Sequence, residues 1–308
     1  MRVLLHFAAD RLVRALIALW LVSTVVFVVM RLSGDPVPLL LPPDAPRSEI
    51  FRVRAELGLD RPLPVQYALF LGNILRGDFG RSIHFRVPAI QVVLDRLPAT
   101  LELGLTAFLV AVVVAVPIGL LSAVKRNSLL DHSAMGVALV GQSAPTFFIG
   151  ILFILLLSLK AGWFPTSGRG DWRHLVLPAL TLALFAMASV ARLTRSAMLE
   201  VLGADYIRTA RAKGLSELLV VAKHTFKNAA IPVVTITGLQ FGTLLGGAVV
   251  TETVFAWPGI GRLAIQSIYN RDYPVVQATV FLSALMFIVL NLAIDVLYGL
   301  LDPRIRAR

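Results

Sequence analysis

Apolar residues along the chain gather in six long blocks, separated by stretches that hold most of the charge. The blocks run at about 12–31, 98–124, 134–159, 175–195, 231–255 and 275–301. A helix needs about 20 consecutive, mostly apolar residues to cross the hydrocarbon core of a bilayer. The pattern therefore predicts an all-α polytopic membrane protein with six transmembrane helices, as a single domain over 1–308. The fourth block is the least uniform, because Ser189 and Arg192 enter it. Pro98, Pro178 and Pro232 are expected in the first turns of their helices, where a missing N–H costs nothing. Pro117 falls inside the second block and predicts a kink there.

Composition agrees with the pattern. Apolar residues make up 57% of the chain, charged residues only 15%, and the mean hydropathy is +0.80. Soluble domains carry about 25% charged residues. The net charge of +11 comes without a basic run interleaved with aromatics, which argues against nucleic acid. The absence of cysteine excludes disulfides and Cys-based metal sites. Arg2, Arg11 and Arg14 before the first block resemble a signal peptide. That block is long, however, and ends Val28-Val29-Met30-Arg31 without an Ala-x-Ala-like cleavage site, so it is read as a retained span. With both termini in the cytoplasm, the inner segments hold fifteen Lys and Arg, Arg304, Arg306 and Arg308 among them, and the short outer loops hold five. The long 31–97 loop is largely exempt from this count, so the bias orients both termini inward.

Two connections are too long to be mere links: the outer loop 31–97 and the inner loop at about 196–230. In the outer loop, Arg54–Gly58 and Val65–Leu75 are expected as short helices. In the inner loop, Asp205 is the expected N-cap of a helix over Tyr206–Lys213, with Gly214 at C′. Ser216 then caps a second helix, with Glu217 early and Lys223 and Lys227 late, matching the helix dipole. Leu215, Leu218, Leu219, Ala222 and Phe226 fall on one face of that helix, and Glu217, His224 and Lys227 towards the other. Such a segment either rests on lipid headgroups or acts as a rigid lever in a partner's groove.

The run DYIRTARAKGLSELLVVAKHTFKNAAIP at 205–232 resembles the EAA loop of ATP-binding-cassette (ABC) importer permeases, in the dipeptide/oligopeptide variant that also includes nickel and glutathione importers. The family's glycine falls on Gly214 and the second Ala of its triplet on Ala210. Arg208 and Thr209 replace the triplet's Glu and first Ala, and Lys227 stands where many relatives have proline. GLDRPLPVQY at 58–67, RGDFGRS at 76–82, RLPATLEL at 96–103, ETVFAWPGIGRL at 252–263, NRDYPVVQ at 270–277 and LYGLLDPRIR at 297–306 are similar to the same family. The chain most resembles its B-type subunit.

The resemblance implies the type I importer permease fold in a bacterial inner membrane and a translocation path for dipeptides or oligopeptides. It also implies a C-type permease partner, two ABC ATPase subunits or one fused ATPase, and an extracytoplasmic substrate-binding protein. ATP and Mg would belong to the ATPase, and this chain would bind no cofactor. It carries no GxxxxGK[ST] phosphate loop and is not expected to be an enzyme. Coupling to the ATPase would fall to Asp205, Tyr206, Arg208, Thr209, Ala210, Arg211, Lys213, Gly214, Leu215, Glu217 and His224.

In the fifth block, Gly238, Gly242 and Gly246 form a GxxxGxxxG ridge suited to close helix packing. Thr235, Thr237, Gln240 and Thr243 give the same block polar groups that would suit a peptide path. Trp257-Pro258-Gly259 is expected as a tight turn at the outer mouth, a gate by the family parallel, with Glu252 beside it handling substrate or gating. Glu102 and Asp295 near span ends are assigned structural roles, Asp295 with Asn291 one turn away or with a neighbouring helix.

Two rival readings make different predictions. A proton-coupled secondary carrier needs ionisable residues near the midplane and usually an internal repeat, and the acids here are peripheral. A membrane serine protease would use Gly141-Gln142-Ser143, but a nucleophile needs a base within reach. His6, His84, His132, His174 and His224 all lie in loops or at block edges. No HExxH motif or acid–histidine cluster marks a metal site.

Overall fold

A computed structural model describes residues 2–301 apart from Ser33, Pro36, Pro43 and Leu57. Arg304, Arg306 and Arg308 lie outside the described residues, and the side chains of His6 and Asp295 are likewise undescribed. In chain order the helices are α1 (Arg2–Leu32), α2 (Val37–Leu40), α3 (Arg47–Glu56), α4 (Leu63–Leu75), α5 (Ala89–Val124), α6 (Leu129–Ser143) and α7 (Thr146–Phe153). They continue with α8 (Trp172–Leu202), α9 (Asp205–Ala212), α10 (Glu217–Leu219), α11 (Lys227–Val254), α12 (Ile260–Tyr269) and α13 (Tyr273–Leu301). Wider π-helical turns at Ile154–Lys160 and Val220–Phe226 extend α7 and join α10 to α11. No strand occurs among the described residues, which is what lipid demands of a chain that has no closed barrel to satisfy its backbone.

Four helical segments are long and apolar enough to cross a membrane alone: Val13–Leu32, Ala89–Val124, Trp172–Leu202 and Tyr273–Ile294. Among the described residues, two bent pairs bring the number to as many as six if each pair is one span. The third block is one of them: α6 and the α7 segment meet at 109°. The cause is local. Pro145 pushes the residue before it out of the helical region, and Ala144 has φ −77° and ψ 134°. The other pair bends by 50° within α11, between Leu244 and Gly246.

The prolines sit deeper than the sequence pattern placed them. Pro98 lies ten residues into α5, and Pro178 and Pro232 are interior to α8 and α11. Apolar runs locate the part of a helix that lipid requires, while the helix itself continues through polar residues at either end. The α8 helix shows the same extension, running to Leu202 rather than 195. In the long loop, α3 begins at Arg47, earlier than expected, and α4 begins with Leu63-Pro64, where Pro fits the first turn. The α12 helix was not anticipated. Its buried Ile260, Leu263 and Ser267 recur at helical spacing, a signal hidden by the adjoining Trp-Pro-Gly.

The chain divides into two compact units, one holding residues up to Pro98 with Gly259–Val289, the other Ala99–Pro258 with the chain from Leu290. In the first, Phe79, Ala89, Val92, Val93, Ile260, Leu263, Val275 and Ala278 form the core. Its main polar tie is Asp272, fully buried, whose carboxylate accepts from Ser82 Oγ at 2.5 Å and from the Ile83 and His84 amides at 3.2 and 3.1 Å. This pins the 82–85 turn to the start of α13.

In the second unit α8 is central: 56% of its most apolar window is buried, against 17–33% for the other single spans. Three helices approach it through glycine. A Cβ on Gly119 of α5 would stand 2.5 Å from the Ala191 carbonyl and 2.7 Å from Thr194 Cβ. One on Gly141 of α6 would meet Leu184 at 3.0 Å, and one on Gly150 of α7 would meet Phe255 and Val254 of the α11 end at 3.1 and 3.2 Å and Thr181 of α8 only at 3.4 Å. Near the end of α8, Arg195 grips the buried Asp131 with Nε–Oδ1 at 2.6 Å and Nη2–Oδ2 at 2.8 Å. Asp131 also accepts from the Asn127 amide at 3.0 Å and donates its own amide to Ser128 Oγ at 3.3 Å. The carboxylate is thus satisfied before it is buried, as burial of a charge requires.

Gly119→Val is expected to destabilise the protein by about 1–3 kcal/mol through overpacking. Gly136→Val on α6, where a Cβ meets nothing within 4 Å, is expected to change little. Apparent unfolding temperatures in detergent, compared for the two variants, test the difference.

Candidate functional site

Residues 205–228 form a compact wedge. The α9 helix opens on Asp205 in its first turn, with Ala204 as the N-cap, so Asp205 is inside the helix rather than capping it. There its charge still favours the helix N-terminus, and it lies 3.7 Å from Arg208 in an exposed pair. Thr209 Oγ1 donates to the Asp205 carbonyl at 3.1 Å. The helix ends on Lys213, and Gly214 follows with φ +78°, a left-handed conformation that favours glycine. The Gly214 amide donates to Arg211 O at 2.9 Å and the Leu215 amide to Ala210 O at 3.4 Å, the two bonds of a Schellman cap. Leu215 packs against Ile207, Ala210 and Val220, the contact that completes the cap.

Across this turn Arg211 donates to Glu217 through Nη2 at 2.7 Å and Nε at 3.1 Å. The paired carboxylate raises the Arg211 pKa above its ordinary value. Arg211 is therefore engaged within the chain, whereas Lys213 is exposed. Ser216 takes the N-cap position of α10 without a side-chain hydrogen bond. Beyond it the π-turn rotates the apolar face. Val220, Val221 and Thr225 are buried, while Leu218 is 81% exposed and Leu219 and Ala222 are exposed too. The face expected from a 3.6-residue period is thus split, because each π-turn adds a residue. Thr225 Oγ1 donates to Val220 O, five residues back, at 3.0 Å. Asn228 Nδ2 donates to the carbonyl of His224 at 2.8 Å and to the Tyr206 hydroxyl at 3.1 Å, closing the wedge. Its free surface presents Tyr206, Lys213, Leu218 and Leu219.

The residues expected to line a path or gate are placed differently from one another. Gln240 is half-buried and Thr243 exposed, and the Thr243 hydroxyl donates to the Gln240 carbonyl and side-chain oxygens at 2.8 and 2.9 Å. Thr235 and Thr237 bond back to carbonyls four residues earlier. Gly238 borders an apolar cavity with Phe108, Val233 and Phe241, and Gly242 is buried. Gly246 is exposed with nothing within 4 Å of a Cβ, so within this chain the ridge does not act as a packing seam along its length.

Glu252 does not lie at a solvated interface: it is fully buried, and its carboxylate accepts from Thr100 Oγ1 at 2.7 Å. Trp257 is 1% exposed, and its indole N–H donates to the Ala99 carbonyl at 2.8 Å. Both tie the end of α11 to α5. The left-handed residue of this turn is Ala256, φ +48°, while Pro258 is half-buried and Gly259 caps α12 at φ −97°. Glu102 pairs with Arg169 at 2.7 Å in an exposed salt bridge. Ser143 donates to Leu139 O at 2.9 Å, an ordinary helix back-bond. No group of three or more metal-ligating side chains occurs among the described residues.

A broken-span helical membrane protein with a capped wedge after the helix at the centre of its second unit is the class that the fold defines, and sequence comparison gives the family. The chain belongs to the family described as binding-protein-dependent transport system inner membrane component, matched over residues 115–307, with that family's N-terminal region matched over 4–104. It is thus a permease subunit of the ABC importer type. Among its relatives, the glutathione transport system permease protein GsiC of Escherichia coli K12 is 45% identical over 304 residues, 98% of this chain and 99% of the relative. GsiC of Salmonella typhi is 45% identical over the same length. The fold is similar to that of the inward-facing MetNI methionine ABC transporter, with TM-score 0.60 at 20% identity over 69% of this chain and 97% of that one. An amino acid ABC transporter gives TM-score 0.51 at 19% identity, covering 70% of this chain and 94% of that chain.

Thr100→Val removes a hydrogen bond to the buried Glu252 carboxylate and Trp257→Phe one to the Ala99 carbonyl, and each loss is expected to cost about 0.5–3 kcal/mol. Both variants lower the apparent unfolding temperature if the residues anchor α11. A gate without an anchoring role predicts altered uptake at unchanged stability.

Proposed function

We propose that this chain is the B-type permease of an importer for short peptides, with both termini cytoplasmic and with the 205–228 wedge as its coupling element. A C-type permease completes the path, an extracytoplasmic binding protein delivers cargo, and two ABC ATPase subunits or one fused ATPase bind ATP and Mg. The chain itself catalyses nothing and holds no cofactor. The observation that carries the reading is the wedge's construction. A Schellman cap at Gly214 and the Arg211–Glu217 pair fix two short helices at one angle, while Tyr206 and Leu218 stay uncovered. A stiff element with an exposed apolar tip transmits a partner's displacement. A flexible loop would absorb it.

Asp205, Arg208, Thr209, Ala210, Leu215 and His224 then serve the wedge's shape, and Tyr206, Lys213 and Leu218 its contact. Gln240 and Thr243 are the polar groups of α11 nearest a path role. Glu252, Trp257, Pro258 and Gly259 support the path by holding the end of α11. Relatives named for glutathione transport favour a small peptide with free carboxylates as cargo.

Gly214→Pro forbids the left-handed turn, and Leu218→Asp charges the tip. Each is expected to cut ATPase recovery in a detergent pull-down at least tenfold while the chain stays in the membrane. Undiminished co-purification would defeat the coupling assignment. Uptake of labelled glutathione, set against that of dipeptides, decides the cargo.

A further inference from the structure

A cavity of about 310 Å³ opens in the first unit, between the end of α1, the start of α4, the Asp78–Ile83 turn and the start of α13. Two buried polar atoms of residues in its wall have no hydrogen-bond partner: Arg31 Nε and Gln66 Oε1. Gln66 is only 8% exposed, and its amide is oriented by donation from Nε2 to Arg61 O at 2.7 Å, which leaves Oε1 as an acceptor. The Arg31 guanidinium lies 5.0 Å from the centre of the Phe27 ring. Nearby carboxylates are engaged elsewhere: Asp35 with Arg54, Glu56 with Arg52 at 3.9 Å, and Asp78 with the Gly80 amide at 2.8 Å. Native interiors leave few such groups unpaired.

The unmet needs define a ligand. An arginine N–H calls for an acceptor, best an anion, and the amide oxygen calls for an N–H or O–H donor. Phe27, Phe70 and Phe79 supply apolar wall between them. The site stands where two spans end, Val13–Leu32 and Tyr273–Ile294, which places it at the level of lipid headgroups. On α1 beside it, Val28, Val29 and Leu32 are exposed.

We propose that this cavity binds the headgroup of a phospholipid, with the phosphate at Arg31 and a headgroup ammonium or hydroxyl donating to Gln66. Phosphatidylethanolamine and phosphatidylglycerol satisfy both atoms. Phosphatidylcholine, whose quaternary ammonium has no N–H, satisfies only Arg31. The site is independent of the cargo and of the coupling wedge.

The test uses the assembled transporter in nanodiscs of phosphatidylcholine doped with photoreactive lipid. A phosphatidylethanolamine probe is expected to label segments 24–35 and 59–73, about tenfold more than a phosphatidylcholine probe does. Arg31→Gln is expected to reduce that labelling by a similar factor, and Arg31→Lys to retain part of it. Equal labelling by the two probes would overturn the proposal, and that comparison needs no variant. So would labelling confined to other segments, or labelling undiminished in a well-folded Arg31→Gln. Competition by soluble glycerophosphoethanolamine as complete as by the lipid would mark a site for free phosphate esters and overturn the lipid assignment.

Discussion

Close approach to α8 is the constraint on which the permease core depends. Inside lipid there is little hydrophobic gain from bringing helices together, so association rests on how closely their surfaces fit. Here α8 offers a surface of small residues, with Ala179, Ala183, Ala186 and Ala191 all buried. Two other helices meet it with Gly119 and Gly141, each at a distance a Cβ would crowd, while Gly150 of α7 touches Thr181 and packs most tightly against Val254 and Phe255 at the end of α11. The polar ties then fix what packing has brought together. Asp131–Arg195 joins α6 to α8, and Glu252 and Trp257 hold the end of α11 to Thr100 and Ala99 of α5.

The proposed coupling element stands where this core stops. The α8 helix ends at Leu202, and the wedge begins three residues later, with its own Ile207, Val220 and Val221 buried. Val221 joins Ala197 and Met198 of α8 in one cluster, so the wedge stands directly on the central helix. In the proposed coupling role, movement imposed at the wedge would reach α8 and the start of α11 through these packed side chains.

Much of this was legible in the sequence, because the signals were long or chemically specific. Six apolar blocks marked the helices, and Gly214 marked the left-handed turn. What escaped had weak or misleading local signals. The ridge of Gly238, Gly242 and Gly246 reads as a packing seam, yet Gly246 is exposed; Gly119, Gly141 and Gly150 pack tightly and form no GxxxG pattern. Sequence spacing shows where glycines lie on one helix, but not which neighbour they face. The π-turn at Val220–Phe226 shifted the buried face by breaking the period on which the amphipathic reading rested. Glu252 reads from sequence as an acid of the outer mouth and Asp272 carries no local signal, because the burial of both depends on partners at positions 100 and 82–84, far away in sequence. The serine at Ser128 was a readable clue to Asp131, since a capping Ser followed three residues later by an acid marks a helix start.

The absence of cysteine makes the central claim directly testable by single-site crosslinking. A short photocrosslinker would be attached at Leu218→Cys on the exposed tip in the assembled transporter, with Leu75→Cys, exposed at the end of α4, as the comparison. The account predicts an ATPase adduct from position 218, its yield changing with nucleotide, and none from position 75. Equal adducts from both positions, or adducts from 218 to lipid alone, would contradict it.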